Sequence, residues 1–401
     1  MDSLELIRGL ARPSSTRIVL LVIDGLGGLP HPKTGKTELE TAKTPNLDKL
    51  AAAGICGMID PISPGITPGS TPGHLALFGY DPVKFNIGRG VVEAIGIDFD
   101  LKPGDIAARG NFCTVDKDGL ITDRRAGRIS TAKCAELCQL LSGLVIDKVK
   151  LSVLPVREHR FVIVFQGKDL APDVSDSDPQ QTSVAPKAVT ALNPKADLIA
   201  VVANRFVEQA KAILSKHHPT NMLLLRGFSQ RPHLPTVPEI YRLKPAAIAA
   251  YPMYRGLAKL VGMKVLDTGA TIAEEMATLK ENFSAYDFFF LHIKKTDSAG
   301  EDGDFEGKVK LIEEADKSLP ALTDLKPEVI VVTGDHSTPA TFKGHSWHPL
   351  PVVLHSRWCR PDRVGEFSES ACISGGLGRF PATQIMPLAM AHALKLAKFG
   401  A

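Results

Sequence analysis

Short apolar runs lie towards both ends of the 401-residue chain and alternate with segments of helical periodicity. Four runs are predicted as buried parallel strands, at Ile18–Ile23, Phe288–Ile293, Val329–Thr333 and Val352–His355. Helices are predicted at Thr44–Ala53, Arg255–Val261, Ile272–Asn282, Phe305–Leu319 and Gln384–Lys398. Thr44 is expected to cap the first of these, with Pro45 in its first turn. Strands that are apolar throughout occur in parallel sheets covered by helices, so the pattern predicts an α/β fold with helices on both faces of a mostly parallel sheet.

The middle of the chain, residues 101–245, has a different pattern. Partial alternation of apolar and polar positions predicts strands at Ala107–Val115, Lys150–Val156 and Arg160–Phe165. Helices are predicted at Cys134–Leu141 and Phe206–Leu214. Leu170–Pro194 is rich in Pro, Asp, Ser and Gln and is predicted as a long surface loop. We therefore expect an inserted α+β domain at 101–245 and a discontinuous core made of 1–100 and 246–401.

Composition narrows the class of protein. Apolar residues make up 44% and charged residues 23%, and the net charge of +3 gives no reason to expect nucleic acid or a membrane surface as a partner. No run approaches the roughly 20 apolar residues of a transmembrane helix, and residues 1–15 lack the apolar core of a signal peptide. The six cysteines include no C-x-x-C pair, so a disulfide framework is not expected. The cytoplasm is the predicted location.

Acidic side chains follow three of the predicted strands where those strands end. Asp24 follows the first, Asp297 the second, and Asp335 with His336 the third. Ligands bind beyond the carboxyl ends of the strands in open α/β sheets, so we expect these side chains at one edge. Carboxylates and imidazoles can hold two divalent ions, which ~3.5–4 Å apart can clamp the entering and leaving oxygens of a phosphoryl displacement. For Asp24 alone, an ordinary turn residue is the favoured interpretation.

Two further histidines, His345 and His348, follow in a glycine-containing turn ahead of the fourth strand. Together with the Asp335–His336 pair they favour a metal site over isolated polar residues. The other histidines interpreted as surface or filler residues are His31, His217, His218, His233, His355 and His392.

Ser70 lies in a loop rich in proline and glycine that leads into a predicted helix. Backbone N–H groups and the helix dipole at such a position favour a bound phosphate. A serine hydroxyl becomes an effective nucleophile when a metal ion or a base deprotonates it. The residues alone leave Ser70 equally a nucleophile or the cap of a short helix, and the metal candidates favour the nucleophile.

Arginines cluster in several candidate loops, many beside glycine. They are Arg89, Arg109, Arg124, Arg125, Arg128, Arg157 and Arg160. A guanidinium group binds phosphate and carboxylate through two hydrogen bonds, so the set predicts an anionic substrate. Solvated surface charge is the alternative for any single arginine.

Several motifs together resemble the archaeal-type cofactor-independent phosphoglycerate mutases. They are Val22–Gly25, Pro68–Ser70 with His74–Pro82, Lys295–Asp297 with Asp302–Asp304, Gly334–Pro339, and His345–Ser346 with Pro349–Pro351. The resemblance runs in order through nearly the whole chain. It implies an alkaline-phosphatase-like core with an inserted substrate domain. It also implies an isomerase that interconverts 3-phosphoglycerate and 2-phosphoglycerate through a phosphoserine, in glycolysis and gluconeogenesis.

The resemblance also implies roles for individual residues, with Ser70 as the nucleophile. The expected ligands of the first metal ion are Ser70, Asp24, Asp335 and His336. The expected ligands of the second ion include Asp297 and His345. The expected substrate contacts are Arg89, Arg109, Asp123, Arg125, Arg128 and Arg160. Arg125 and Lys295 are expected to act in catalysis, Lys295 by neutralising developing charge.

Two departures from the family pattern affect these expectations. Glu301 stands where the family usually has a histidine, four residues after the aspartate that matches Asp297. Glu301 could still ligate the second ion, or His348 could supply the missing imidazole. Thr71–Gly73 replaces a link that more commonly contains an acid, which leaves open which group handles protons near the phosphate.

The cofactors that the resemblance implies are two divalent metal ions, without 2,3-bisphosphoglycerate. Mn²⁺ is expected, with Mg²⁺, Zn²⁺ or Co²⁺ as alternatives. The expected partner is a small phosphoglycerate, not nucleic acid or membrane, and the oligomeric state is open. The rival functions are another phosphotransferase of the alkaline phosphatase superfamily (a phosphopentomutase, a phosphatase or a small-alcohol kinase) and an inactive phosphate-binding protein, which Glu301 alone favours.

Overall fold

Strands and helices cover most of the chain in a computed structural model that describes Ser3 to Gly400. Within that range the strands are β1 (Ile18–Ile23), β2 (Ile55–Asp60), β3 (Ile106–Val115), β4 (Ile121–Asp123), β5 (Val145–Ile146), β6 (Val149–Arg157), β7 (Arg160–Gln166), β8 (Met222–Gln230), β9 (Pro245–Ala249), β10 (Lys264–Leu266), β11 (Phe288–Ile293), β12 (Val329–Thr333), β13 (Leu350–Ser356) and β14 (Gly378–Pro381). The α-helices are α1 (Ser3–Leu10), α2 (Glu38–Thr41), α3 (Pro45–Ala53), α4 (Ser70–Leu77), α5 (Arg89–Gly96), α6 (Thr131–Leu141), α7 (Asp197–Leu214), α8 (Val237–Tyr241), α9 (Pro252–Leu260), α10 (Ile272–Asn282), α11 (Lys295–Asp302), α12 (Phe305–Thr323), α13 (Glu369–Cys372) and α14 (Ile385–His392). None of these described helices is long and apolar enough to cross a bilayer. Met1, Asp2 and Ala401, which fall in the predicted core segments, lie outside the described residues.

The described chain divides into two compact units. The core unit runs up to Asn86 and resumes at Leu234, and the inserted unit is Ile87–His233. The sequence predicts the insertion at 101–245, which differs at both ends. Helix α5 packs on β3 and β8 and so groups with the inserted unit, whereas α8 packs on α1 and groups with the core unit.

The core unit is built on an eight-stranded sheet in the order β10-β9-β11-β1-β12-β13-β2-β14. Neighbouring strands are parallel except on both sides of β13, which is antiparallel to β12 and to β2. The predicted α/β fold with a mostly parallel sheet is therefore confirmed. The parallel direction expected for the strand at Val352–His355 is wrong, because a strand buried on both faces has the same apolar pattern in either direction.

The inserted unit contains an antiparallel sheet in the order β4-β3-β7-β6-β5, with β8 also paired to β3. Phe112, Phe161, Phe165 and Phe206 are fully buried in its hydrophobic core, into which α6 and α7 also pack apolar side chains. The segment between β7 and α7 carries an isolated bridge between Val174 and Ala191 and contains the predicted long loop.

The N-terminus of α3 is capped from another helix. Thr44 occupies the cap position, but among the described residues its hydroxyl makes no capping hydrogen bond to α3. The carboxylate of Asp316, from α12, accepts the N–H of Asn46 at 3.0 Å and the N–H of Leu47 at 2.7 Å instead. The predicted cap position of Thr44 and the first-turn position of Pro45 are therefore confirmed, but the free N–H groups are satisfied by a residue distant in sequence and not by the Thr44 hydroxyl.

We expect Asp316→Ala to lower the free energy of unfolding by roughly 2–3 kcal/mol, since the buried N–H of Leu47 and the part-buried N–H of Asn46 lose a charged acceptor. Thr44→Val is the matched control, and it should cost less than about 1 kcal/mol. Urea denaturation followed by circular dichroism measures both. Equal losses of unfolding free energy in the two variants would show that the Thr44 hydroxyl contributes as much to the cap as Asp316.

Candidate active site

Three neighbouring strands end together at one edge of the core sheet. β1 lies between β11 and β12, and Val22 pairs with both His292 and Thr333. Asp24, which follows β1, therefore lies beside the segments that follow the other two strands. Gly25 makes this approach possible, since it has a φ of +66° and an added Cβ would lie 2.8 Å from the Cα of Asp297.

Asp24, Asp335 and His336 form the first group of side chains that could hold a metal ion. All three are fully buried. His336 Nε2 lies 3.4 Å from Asp24 Oδ1, 3.1 Å from Asp335 Oδ2 and 3.2 Å from Ser70 Oγ. Donor atoms bound to one ion at about 2.0–2.1 Å in tetrahedral geometry lie roughly 3.3 Å apart, so this spacing fits a metal ion.

Each carboxylate of this group uses one oxygen for the protein and leaves the other available. Asp24 Oδ2 accepts from the hydroxyl of Tyr254, and from His292 Nε2 at 3.1 Å. Asp335 Oδ1 accepts the N–H of Gly25 at 3.1 Å. Asp24 Oδ1 and Asp335 Oδ2 are buried and make no hydrogen bond of standard geometry among the described residues, with His74 Nδ1 the nearby ring nitrogen at 3.2 Å from Asp335 Oδ2. Because buried polar atoms normally have partners, these two oxygens support the metal interpretation.

The ionised state of Asp24 is stabilised by nearby cationic groups. Burial alone would raise the pKa of Asp24, but Lys294, whose Nζ lies 3.1 Å from Oδ2, and the hydrogen bond from His292 hold that pKa well below its usual range. The Lys294 ammonium also pairs with Asp297. Burial alone would lower the pKa of Lys294, but its acidic neighbours outweigh that effect and raise this pKa well above its usual value. The Asp24 carboxylate is therefore ionised at neutral pH.

Asp297, His336 and His345 form the second group. His345 Nε2 lies 3.6 Å from Asp297 Oδ1, and the imidazole rings of His336 and His345 stack at 3.7 Å. His345 Nδ1 lies 2.9 Å from the carbonyl oxygen of Pro68, which can only accept. Nδ1 of His345 therefore carries the proton and its Nε2 is left as a possible ligand.

Ser70 is the first residue of α4, and Gly69 occupies the cap position. The Ser70 hydroxyl points to His336, as the 3.2 Å distance from Oγ to Nε2 shows. The carbonyl of Ser70 lies 2.8 Å from His74 Nδ1, which is also 3.2 Å from Asp335 Oδ2. The structure therefore does not support the alternative that Ser70 caps the helix, and its side chain joins the first group.

The remaining candidates of the core unit lie at different distances from these groups. Glu301, one turn after Asp297 on α11, has Oε1 at 4.0 Å from His345 Nε2 and is half-exposed. His348 is turned towards Ser346 Oγ at 3.1 Å and stacks on Trp347, apart from both groups. Lys295 is exposed. The neighbouring Lys294 is the lysine that contacts Asp24 and Asp297.

The predicted arginines of the inserted unit gather around a buried histidine. Burial, and then the charges of Arg160, Arg109, Arg125 and Arg128, lower the pKa of His159 to about 3. On the sheet, Arg109 lies opposite Arg226, and Asn111 lies opposite Arg160. Cross-strand partners project on the same face, so these like charges are held close together there, next to the carboxylates of Glu93, Glu158 and Asp178. The cluster fits an anionic ligand.

Acids that organise this arginine cluster include Glu93, Asp123 and Asp178. Asp178 Oδ2 lies 2.8 Å from Arg124 Nη2 and 4.0 Å from Arg226 Nη1. Glu93 is fully buried, with Oε1 at 3.3 Å from Arg109 Nη1 and 3.7 Å from Arg89 Nε. Asp123 accepts the backbone N–H groups of Arg125 at 2.7 Å and of Gly127 at 2.6 Å, so its carboxylate shapes the arginine turn.

Sequence reasoning missed several residues of the site. They are His74, Tyr254, His292, Lys294 and Thr338 in the core unit, and Glu93 and Arg226 in the inserted unit. One signal was available for His292, which interrupts an otherwise apolar strand beside the strand that leads to Asp24. Tyr254 and Glu93 come from helices whose placement cannot be read from local periodicity.

The buried state of His159 makes the stability of the protein depend on pH. The unfolded imidazole takes up a proton below about pH 6.5, whereas the folded one does so at about pH 3. The unfolded state binds more protons throughout this window, so stability is lost as the pH falls from about 6.5. We expect His159→Gln to reduce the slope of unfolding free energy against pH between 6 and 5 by up to about 1.4 kcal/mol per pH unit.

Urea denaturation at closely spaced pH values measures this slope. His233→Gln, which replaces an exposed histidine of the same unit, is the matched control and should leave the slope unchanged. An unaltered slope in His159→Gln would show that His159 takes up its proton normally in the folded state.

Comparison with known proteins places this arrangement in a family. The family model described as 2,3-bisphosphoglycerate-independent phosphoglycerate mutase matches residues 51–221. A probable enzyme of that name from Thermosipho melanesiensis is 47% identical over 403 residues, covering 100% of both chains. One from Aquifex aeolicus is 48% identical over 408 residues, covering 99% of this chain and 100% of the relative.

Solved structures agree with these relatives. The cofactor-independent phosphoglycerate mutase of Thermoplasma acidophilum is 33% identical, with a TM-score of 0.67, covering 94% of this chain and 100% of that one. A protein from Pyrococcus horikoshii is 30% identical, with a TM-score of 0.82, covering 98% of this chain and 100% of that one. The family expected from the motifs is confirmed, and the chain belongs to the 2,3-bisphosphoglycerate-independent phosphoglycerate mutases, a family of isomerases.

Proposed function

We propose that this chain interconverts 3-phosphoglycerate and 2-phosphoglycerate through a phosphoserine on Ser70, with two divalent metal ions and without 2,3-bisphosphoglycerate. The observation that carries the proposal is the convergence of Ser70 Oγ with atoms of Asp24, Asp335 and His336 around one point. The names of the curated relatives and the whole-length similarity support the substrate.

Ser70, Asp24, Asp335 and His336 would hold the first ion, and Asp297 and His345 with Glu301 the second. Mn²⁺ suits this mixture of carboxylates and imidazoles. When bound, the ions lower the pKa of the serine hydroxyl and offset the negative charge of the phosphate.

The chain's own groups then order the reaction. The Ser70 oxygen bonds to phosphorus as the bond from phosphorus to the 3-oxygen of the substrate breaks, and the proton that Ser70 gives up is balanced by the proton that the 3-oxygen gains. The 2-oxygen of glycerate later takes the phosphoryl group back and restores the Ser70 hydroxyl. Ser70 begins α4, so the dipole of that helix also favours the phosphate.

The arginine cluster is proposed to bind the carboxylate and phosphate of the substrate. Arg109, Arg125, Arg128 and Arg160 all act on His159, so their charges add within a small region. Arg89 joins them through Glu93, and Asp123 holds the turn that carries Arg125. Arg125 and Lys295 stay predictions as catalytic residues, and Lys294 is the lysine with direct contacts to the metal candidates.

The proposed reaction is a step that glycolysis and gluconeogenesis run in opposite directions, and we propose that the enzyme serves them in the cytoplasm. A transfer to Ser70 and back to glycerate can run in either direction.

The function is tested with 3-phosphoglycerate in an assay coupled to enolase, with Mn²⁺ and without 2,3-bisphosphoglycerate. We expect activity that a chelator removes, and a loss of at least about 10³-fold in Ser70→Ala, because the group that carries the phosphate is gone. Thr71→Val, which removes the next hydroxyl along the helix, is the matched control. Mass spectrometry of the acid-quenched enzyme should find the phosphoryl group on Ser70.

An inactive wild-type enzyme with Mn²⁺ would overturn the mutase assignment. Full activity in Ser70→Ala would overturn the phosphoserine. Release of free phosphate as the sole product would assign the site to a phosphatase.

The ligand that completes the second group is tested by metal binding. We expect Glu301→Ala to weaken one of two bound Mn²⁺ ions by about tenfold or more, because Glu301 faces His345. His348→Ala is the control and should keep both ions, since His348 faces Ser346. Equilibrium dialysis with Mn²⁺ measures both variants. The reverse result would make His348 the ligand.

A further inference from the structure

Thr338 has a hydroxyl group between the two candidate metal groups. The side chain is fully buried, and its Oγ1 lies 2.7 Å from Asp297 Oδ1 and 2.9 Å from His336 Nδ1. It therefore contacts one residue that belongs to the second group and one that belongs to both groups.

Counting protons fixes the direction of both hydrogen bonds. The Asp297 carboxylate can only accept, and its other oxygen pairs with the Lys294 ammonium. The single hydroxyl proton of Thr338 therefore goes to Asp297. If that proton pointed to His336 instead, two acceptor oxygens would face each other at 2.7 Å without a proton between them.

The remaining hydrogen bond must then come from the histidine. His336 Nδ1 carries a proton and donates it to Thr338 Oγ1, which leaves Nε2 as the ring nitrogen that can ligate. Nε2 is the atom that faces Ser70, Asp24 and Asp335.

The position of the Thr338 hydroxyl is fixed by the backbone. The N–H of Thr338 donates to the carbonyl of Gly27 at 3.0 Å. The fully buried Lys308 ammonium donates to the carbonyls of Thr338 at 2.9 Å and of Gly27 at 3.0 Å. The loop after β12 is thereby joined to the loop after β1 by contacts that need no metal ion.

We propose that Thr338 is a positioning residue that holds His336 with its proton on Nδ1 and thereby prepares both metal groups at once. The inference rests on the proposed metal-binding function of this site. The inference predicts that loss of the Thr338 hydroxyl weakens both bound ions, because Thr338 contacts both groups. Loss of Glu301 should weaken only one ion, because Glu301 contacts only the second group. Hydrogen-bonded partners of metal ligands typically contribute about 10–100-fold to affinity.

The test measures Zn²⁺ binding and histidine tautomers in the full chain, because Zn²⁺ is diamagnetic. We expect Thr338→Val to weaken both bound Zn²⁺ ions by about 10–100-fold in equilibrium dialysis with a competing chelator. Thr338→Ser, which keeps the hydroxyl, should restore most of the affinity. Long-range ¹H–¹⁵N spectra of the Zn²⁺-loaded wild type should show the His336 proton on Nδ1, with the resonance identified by its loss in His336→Asn.

Thr278→Val is the matched control for the loss of a buried threonine hydroxyl, since Thr278 bonds within α10 and to Thr268. It should keep both ions. Wild-type affinity in Thr338→Val, loss of one ion only, or a proton on Nε2 of His336 would overturn the positioning role. None of these results bears on the mutase assay. If the wild-type enzyme is inactive on 3-phosphoglycerate but Thr338→Val still weakens both Zn²⁺ ions, only the proposed function is overturned.

Discussion

The accumulation of negative charge at the ends of three neighbouring strands is the constraint on which the rest of the core unit depends. Ligand atoms of Asp24 and Asp335 lie within 4.8 Å of one another in a fully buried setting. At an effective dielectric constant of about 20, that repulsion amounts to roughly 3–4 kcal/mol. The fold meets it with His292, Tyr254 and Lys294 on one side of Asp24 and leaves the other side for a cation. The conformation of the site is therefore set by charge balance as much as by apolar packing.

The inserted unit shows the opposite imbalance, since it concentrates guanidinium groups around His159. Arg109 and Arg226 are direct cross-strand partners, with the buried Glu93 beside Arg109 and Asp178 beside Arg226. A unit with clustered carboxylates suits cations, and a unit with clustered arginines suits the anionic groups of a small acid. Both requirements agree with a phosphorylated carboxylic acid as the substrate.

The sequence predicted those features that local patterns encode. Apolar runs identified β1, β11 and β12, and the aspartates after them identified the edge of the sheet. Contacts between distant segments were not predictable in this way. Asp316, and not the Thr44 hydroxyl, accepts the first N–H groups of α3, and the direction of β13 follows from its partners. Whether Lys294 or Lys295 contacts the site depends on where α11 begins. The proposed positioning role of Thr338 depends on Asp297, a residue distant in sequence that lies beside it.

The reversed direction of β13 has a consequence for how the site is assembled. A parallel strand after β12 would require a crossover that returns the chain to the far edge of the sheet. Because β13 is antiparallel, the connection from Gly334 to Pro349 begins and ends at the same edge. A single uninterrupted loop therefore supplies Asp335, His336, Thr338 and His345. Replacements along this loop can therefore change the side chains of both candidate groups while the strands that support it keep their register.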